Sequence, residues 1–358
     1  MYKTFLTFPK WLRLAILFPL FFLNGLLIVL LLKYFQLLVY FLIIANLLAF
    51  LLDLAVKLLQ QEGVRRSLAI TLILLLTFLI VSSSALILIP LIIKQLSDLL
   101  ASAPQWVEQT QKDLQALSQQ PILTKLPFDV GKIVVNSSQR FFERLELLGS
   151  QVLGLLAGTI NSVFNTLIIL VFTIFFLIGG EEFWRGILSW FPEPWDRKIP
   201  QYTRKTFKDY LLSRLILSGI TIVALIVIFV FLKVPYALLF AFALGISSMI
   251  PIVGGILGLF LTVLLCFNQL DIGIKFFLAN SIVNQIVDNV ISPKLTGNMI
   301  GLNPIWLLIS LFVGAQLGGI LGLLLAVPIA SVMKQIISDL RFPITEEKLN
   351  QPLAQHKS

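Results

Sequence analysis

Seven long stretches of this chain contain no Asp, Glu, Lys or Arg: 14–32, 34–52, 67–93, 147–180, 215–232, 234–270 and 295–333. A backbone in lipid must satisfy its own hydrogen bonds, and a helix that crosses the ~30 Å hydrocarbon core needs roughly 17–25 apolar residues. The first, second, third and fifth stretches each have the length of one span, and the fourth has room to spare. The last two exceed a single helix and are punctuated by Gly and Pro. The expected fold is an all-α polytopic integral membrane protein of about eight membrane segments, including broken or re-entrant helices near the C-terminus. With 58% hydrophobic and 13% charged residues, a soluble globular enzyme is excluded. The first stretch is longer than a signal-peptide core and ends in LLKYF, so it reads as a retained span.

Basic residues orient the spans. Lys3, Lys10 and Arg13 precede the first; Lys57, Arg65 and Arg66 follow the second; Arg185, Arg197, Lys198, Arg204, Lys205, Lys208 and Arg214 crowd 181–214. These sides are expected to be cytoplasmic, with both termini inside a cell (inner) membrane. The net charge of +9 then reports contact with an anionic inner leaflet, and no nucleic-acid partner is expected. The organisation that follows is three spans in 1–93, an external amphipathic helical hairpin in 94–146 and a fourth span in 147–180. A basic cytoplasmic connector in 181–214, a C-terminal core in 215–340 and a polar cytoplasmic tail in 341–358 complete it.

In the hairpin, Leu96, Leu100, Ala103, Val107, Leu114 and Leu117 follow helical spacing, and Val130, Val134, Phe141, Leu145 and Leu148 repeat it. Pro104 after Ser102 suits a first helical turn, and Pro121 and Pro127 mark the bend. The stripe is expected to rest on the membrane surface or to pack against the same hairpin of another subunit.

The chain has one cysteine, Cys266, and one histidine, His356, so triad chemistry and His-based metal sites lack their parts. No GxxxxGK[ST] loop occurs, which argues against ATP-driven work by this chain alone. No cofactor or metal is expected.

Polar residues gather in one place. In NSIVNQIVDNVISPKLTG, 280–297, the residues Asn280, Ser281, Asn284, Gln285, Asp288, Asn289 and Ser292 share one half of a helix at ~100° per residue. Ile282, Val283, Ile286, Val287 and Val290 take the other half, and Ser292, Pro293 and Lys294 are expected to end the helix. A second irregularity, MIPIVGGILG at 249–258, places Pro251, Gly254 and Gly255 inside an apolar run. Broken helices at membrane depth are tolerated where protein or a wet cavity surrounds them, so the two elements are expected to face each other. Asp288 either lines a pathway or sits at the interface, solvated or paired with Lys294; its only carboxylate companions are Asp53 and Asp271, near span ends. Gly154/Gly158, Gly254/Gly258 and Gly314/Gly318/Gly322 recur at four-residue spacing, which suits close helix packing.

The run VDNVISPKLTGNMIGLNPIWLLISLFVGAQLGGILGLLLAVPIASVMK, preceded by VPYALLFAFALGISSMIPIVGGILG, resembles the signature of the autoinducer-2 exporter family, also called the PerM permease family. The matching elements are Pro251 and Gly254; Asp288, Asn289, Pro293 and Lys294; Leu302 and Pro304; Gly314, Gly318 and Gly322; and Pro328. Family members often carry His where this chain has Asn303, which weakens a proton-linked role there. The resemblance implies a membrane transporter or passive exporter of a small polar solute, such as an autoinducer-2-like signalling molecule, assembled as a homo-oligomer in the lipid bilayer. Sodium (lithium)/proton antiport, with a monovalent cation as cargo, is the alternative; a non-transporting scaffold is a third. Candidate pathway residues are Pro251, Gly254, Asn280, Asn284, Gln285, Asp288, Asn289, Pro293, Lys294 and Asn303.

Overall fold

A computed structural model of the chain describes residues 10–118, 130–157, 159–296 and 303–341. Pro121, Pro127, Gly158, Leu302 and the tail with His356 lie outside them. Among the described residues every regular element is helical: α1 (Lys10–Tyr34), α2 (Gln36–Gln61), α3 (Arg66–Ser118), α4 (Val130–Ala157), α5 (Thr159–Leu188) and α6 (Trp195–Phe231). There follow α7 (Ala237–Ser247), α8 (Val253–Asn268), α9 (Leu270–Ile286), a π-helical turn (Val287–Ile291), α10 (Ser292–Thr296) and α11 (Pro304–Arg341). Six helices are long and apolar enough to cross a membrane, so the protein is an all-α, multi-pass membrane protein.

The helix α3 runs for 53 residues through position 94 and past Pro104, so no helix begins at that proline. A proline inside a helix costs about 3 kcal/mol, and packing on both sides of it offsets that cost. Leu99, Ala103 and Trp106 are buried there against Leu145 of α4 and apolar residues of α6 to α9. Leu100 lies directly over Gly149 of α4. The first half of the apolar stripe therefore has its partner within the same chain, where the sequence offered lipid or a second subunit. The side chains of Val107 and Leu114 lie outside the described set.

The C-terminal half is built from helices that turn back. With 11 and 16 residues, α7 and α8 reach only about 16 and 24 Å, short of the ~30 Å core. They fold against each other at a turn, 248–252, which brings Leu244 to Gly258. The next bend, at Gln269, lays α9 antiparallel on α8: Gly258 faces Asn280, and Gly273 faces Cys266. Stacked Phe229 and Phe276, with centroids 4.7 Å apart, close the centre of this packing.

Although α11 has 38 residues, it is not one straight rod. Gly319 has φ 55° and ψ −132°, and the chain reverses there so that Gly314 meets Gly322 backbone to backbone. Eight residues along a straight helix are ~12 Å apart, so only a hairpin permits this contact.

At one end of the bundle, charges tie the helices together. Asp53 pairs with Lys57 at 2.6 Å and lies 3.9 Å from Arg66 and 3.8 Å from Arg204. Arg204 also reaches Glu181, 3.3 Å away, and Arg66 donates to the Leu177 carbonyl at 3.0 Å. Lys198 of α6 pairs with buried Asp339 of α11 at 2.8 Å.

Candidate functional site

An interrupted helix exposes backbone groups that lipid cannot satisfy. Here neighbouring side chains satisfy several of them. Ser218 of α6 and Ser248 each donate to the Gly245 carbonyl at 2.6 Å, where α7 ends. The Tyr210 hydroxyl donates to the Met249 carbonyl at 3.4 Å, and Ser213 donates to the Leu295 carbonyl at 3.3 Å. At the other end of α7, the Gln95 side chain accepts from the Leu239 N–H at 2.9 Å.

The 248–252 turn is strained as well as interrupted. Ile252, a β-branched residue, has φ 75° and ψ −38°, a conformation that costs roughly 1–3 kcal/mol. Packing holds it in place: Ile250 is buried among Leu311, Ala326 and Val327 of the α11 hairpin, with Tyr210 beside them. Pro251 is half-buried within the turn, and Gly254 lies so close to the Ser248 backbone that a Cβ there would stand 3.2 Å from its Cα.

The polar residues of 280–294 do not share one environment. Asn280 is buried, and its amide occupies the space above Gly258, where a Cβ would lie 2.5 Å from Nδ2. Asn284, half-buried, donates to the Asn280 side-chain oxygen at 3.1 Å. Asn289 donates to Gln285 one turn back; both are exposed, as is Asp288. The apolar half divides too: Val283 and Val287 enter the core, while Ile282, Ile286 and Val290 face outward.

Pro293 does not end this helix. It is the second residue of α10, exposed like its neighbour Lys294, and the π turn carrying Asp288 and Asn289 lies directly before α10. The physical cause is the proline ring, which lacks an N–H and crowds the carbonyl four residues back, so the preceding turn widens. Among the described residues, no ion pair joins Asp288 to Lys294. Asp53 is held by its basic cluster and exposed Asp271 bonds Lys275 at 2.6 Å, so neither shares a site with Asp288.

Asn303 has a local role: its side-chain oxygen accepts from the Ile305 N–H at 3.0 Å, capping α11 with Pro304 in the first turn. Gly314 and Gly322 meet in the α11 hairpin, whereas a Cβ on Gly318 would meet nothing within 4 Å.

Sequence reasoning missed the polar face of α6. Tyr210, Ser213, Arg214, Ser218 and Thr221 recur at three- and four-residue spacing along this helix, the signal that would have marked it. In the sequence Arg214 belongs to the basic connector; in the fold it lies on α6, which packs against α10 and the π turn that carries Asp288. The Arg214 guanidinium carbon is 5.5 Å from the centre of the Tyr210 ring.

The AI-2E family transporter model matches residues 16–342. Two proteins of Synechocystis sp. are 31% and 30% identical to this chain, over 92% and 86% of it and 96% and 79% of their own lengths. A protein of Bacillus subtilis is 26% identical over 82% of this chain and 81% of its own. All three are named "Putative transport protein".

Proposed function

The chain belongs to the AI-2E transporter family and is a membrane transporter, and from that premise we propose that it passes a small polar solute along α9 beside the interrupted α7–α8 hairpin. The observation that carries this reading is the hydrogen-bonded pair Asn280–Asn284, half inside an apolar core and running toward Asp288. Uncharged amides offer both donors and acceptors, which suits a hydroxylated or carbonyl-bearing solute such as an autoinducer-2-like molecule. In this reading the transporter is an exporter in the cell (inner) membrane, with both termini cytoplasmic by the distribution of Lys and Arg, and works as a homo-oligomer.

A lining role makes a sharp prediction about access. In a Cys266→Ser background, cysteines at 284 and 288 should react with a membrane-impermeant thiol reagent at least about 10-fold faster than cysteines at 283 and 287, because burial protects the latter pair. Equal labelling at the four positions rules out the path along α9.

Asp288, the one carboxylate on this column, supports the second reading, sodium (lithium)/proton exchange. Flux in proteoliposomes separates the two. If Asp288 binds the coupling cation, Asp288→Asn should lower sodium exchange by about 10-fold or more, the equivalent of ~1.4 kcal/mol. If the cargo is a polar solute, wild-type vesicles should move the solute without a sodium or pH gradient. Strict dependence on such a gradient defeats the exporter reading.

A further inference from the structure

We infer that Arg214 and Asp288 are the two poles of one dipolar binding site, level with the 248–252 turn and fitted to a zwitterionic solute. The inference rests on the reading of α9 as the solute path and adds the class of solute that the path selects.

Register brings the two charges to one level. On the α8–α9 hairpin, 273 lies opposite 266 and 280 opposite 258; eight residues further on, 288 lies level with the turn. On the α6–α7 side, Ser218 bonds Gly245 and Tyr210 bonds Met249, so Arg214, midway between them, is level with the same turn. Ser213, next to Arg214, bonds Leu295 just beyond the π turn, and α6 packs against both the π turn and α10.

The Arg214 guanidinium lies over Tyr210, and its Nε is buried without an acceptor among the described residues. A guanidinium with an unused Nε–H suits a carboxylate, to which it donates a charge-assisted hydrogen bond. At the same level, Asp288 is exposed on its π turn and makes no ion pair among the described residues. A simple anion or cation meets one attractive and one repulsive charge here. A zwitterion meets two attractive ones, its carboxylate toward Arg214 and its ammonium toward Asp288.

The test is flux of radiolabelled alanine, erythritol and sodium in proteoliposomes of the full chain, scaled to folded protein by size-exclusion chromatography. Arg214→Gln and Asp288→Asn are each expected to lower the alanine-to-erythritol flux ratio by about 10-fold or more. The charge exchange Arg214→Asp with Asp288→Arg should recover part of that ratio, and Arg214→Lys, which keeps the charge, should lose less than Arg214→Gln. An unchanged ratio in Arg214→Gln overturns the inference, as does wild-type protein that moves erythritol but not alanine. Wild-type protein that moves sodium but neither organic solute overturns the polar-solute reading beneath it.

Discussion

Gly322→Ala is expected to prevent the C-terminal hairpin from closing. A Cβ at position 322 would stand 1.9 Å from the Gly314 carbonyl oxygen, and one at 314 would stand 2.4 Å from the Gly322 carbonyl oxygen. Both obstacles are backbone, so no rotamer change relieves them. Overpacking a core typically costs about 1–3 kcal/mol, and a backbone collision of this kind should exceed about 3 kcal/mol. The control is one turn away: Gly318→Ala meets nothing within 4 Å and should be neutral or better, since Ala is favoured over Gly in helices by about 1 kcal/mol. Thermal unfolding in detergent and the yield of monodisperse protein provide the measurement. Equal melting temperatures for the two variants mean that the reversal at Gly319 is wrong. The consequence for function is direct, because the hairpin supplies Leu311, Ala326 and Val327, which bury Ile250 and hold the strained turn.

Asp339→Ala is expected to cost about 3–5 kcal/mol, for an electrostatic reason. The Asp339 side chain is 2% exposed and that of Lys198 is 14% exposed, with 2.8 Å between the charged atoms; the Tyr202 hydroxyl also donates to this carboxylate, at 3.3 Å. Removing the carboxylate takes away the counter-charge 2.8 Å from a largely buried ammonium, which is worse than removing both charges together. Lys198→Met with Asp339→Leu should therefore recover most of the stability lost in the single variant. Melting temperatures of wild type, both single variants and the double variant complete the cycle. A double variant as unstable as Asp339→Ala shows that the loss comes from packing and not from breaking the ion pair. This pair, with the Gln335 to Thr206 hydrogen bond at 2.9 Å, clamps α11 to the part of α6 that leads to Arg214.

The polar residues of the candidate site could be read from residue types alone, but not the environment of each. Asn280, Asn284 and Asp288 stand out in a sequence because polar groups in an apolar run need a reason. Whether each is wet or buried depends on what lies opposite, and Gly258 makes room for Asn280 from a different helix. In the sequence Arg214 looks like an interface anchor because it is a cation near a span end, and only the tertiary structure sets its helix, α6, against the π turn. Asn303 is a pathway candidate by its place in the motif, and only the structure shows that its side-chain oxygen caps α11.

The sequence by itself determined the class of fold: uncharged runs of span length permit little but helices in a membrane, because hydrocarbon allows no unsatisfied backbone. It also marked where those helices break, since Pro251 and the Gly-rich runs lack the N–H or the Cβ that regular helices use. Only the tertiary structure decided how the pieces meet. α3 runs straight through Pro104 because Leu99, Ala103 and Trp106 pack on other helices, and α11 doubles back because Gly314 and Gly322 can touch. Such contacts join residues distant in sequence, and their energies depend on shape at the meeting point, which local propensity does not contain.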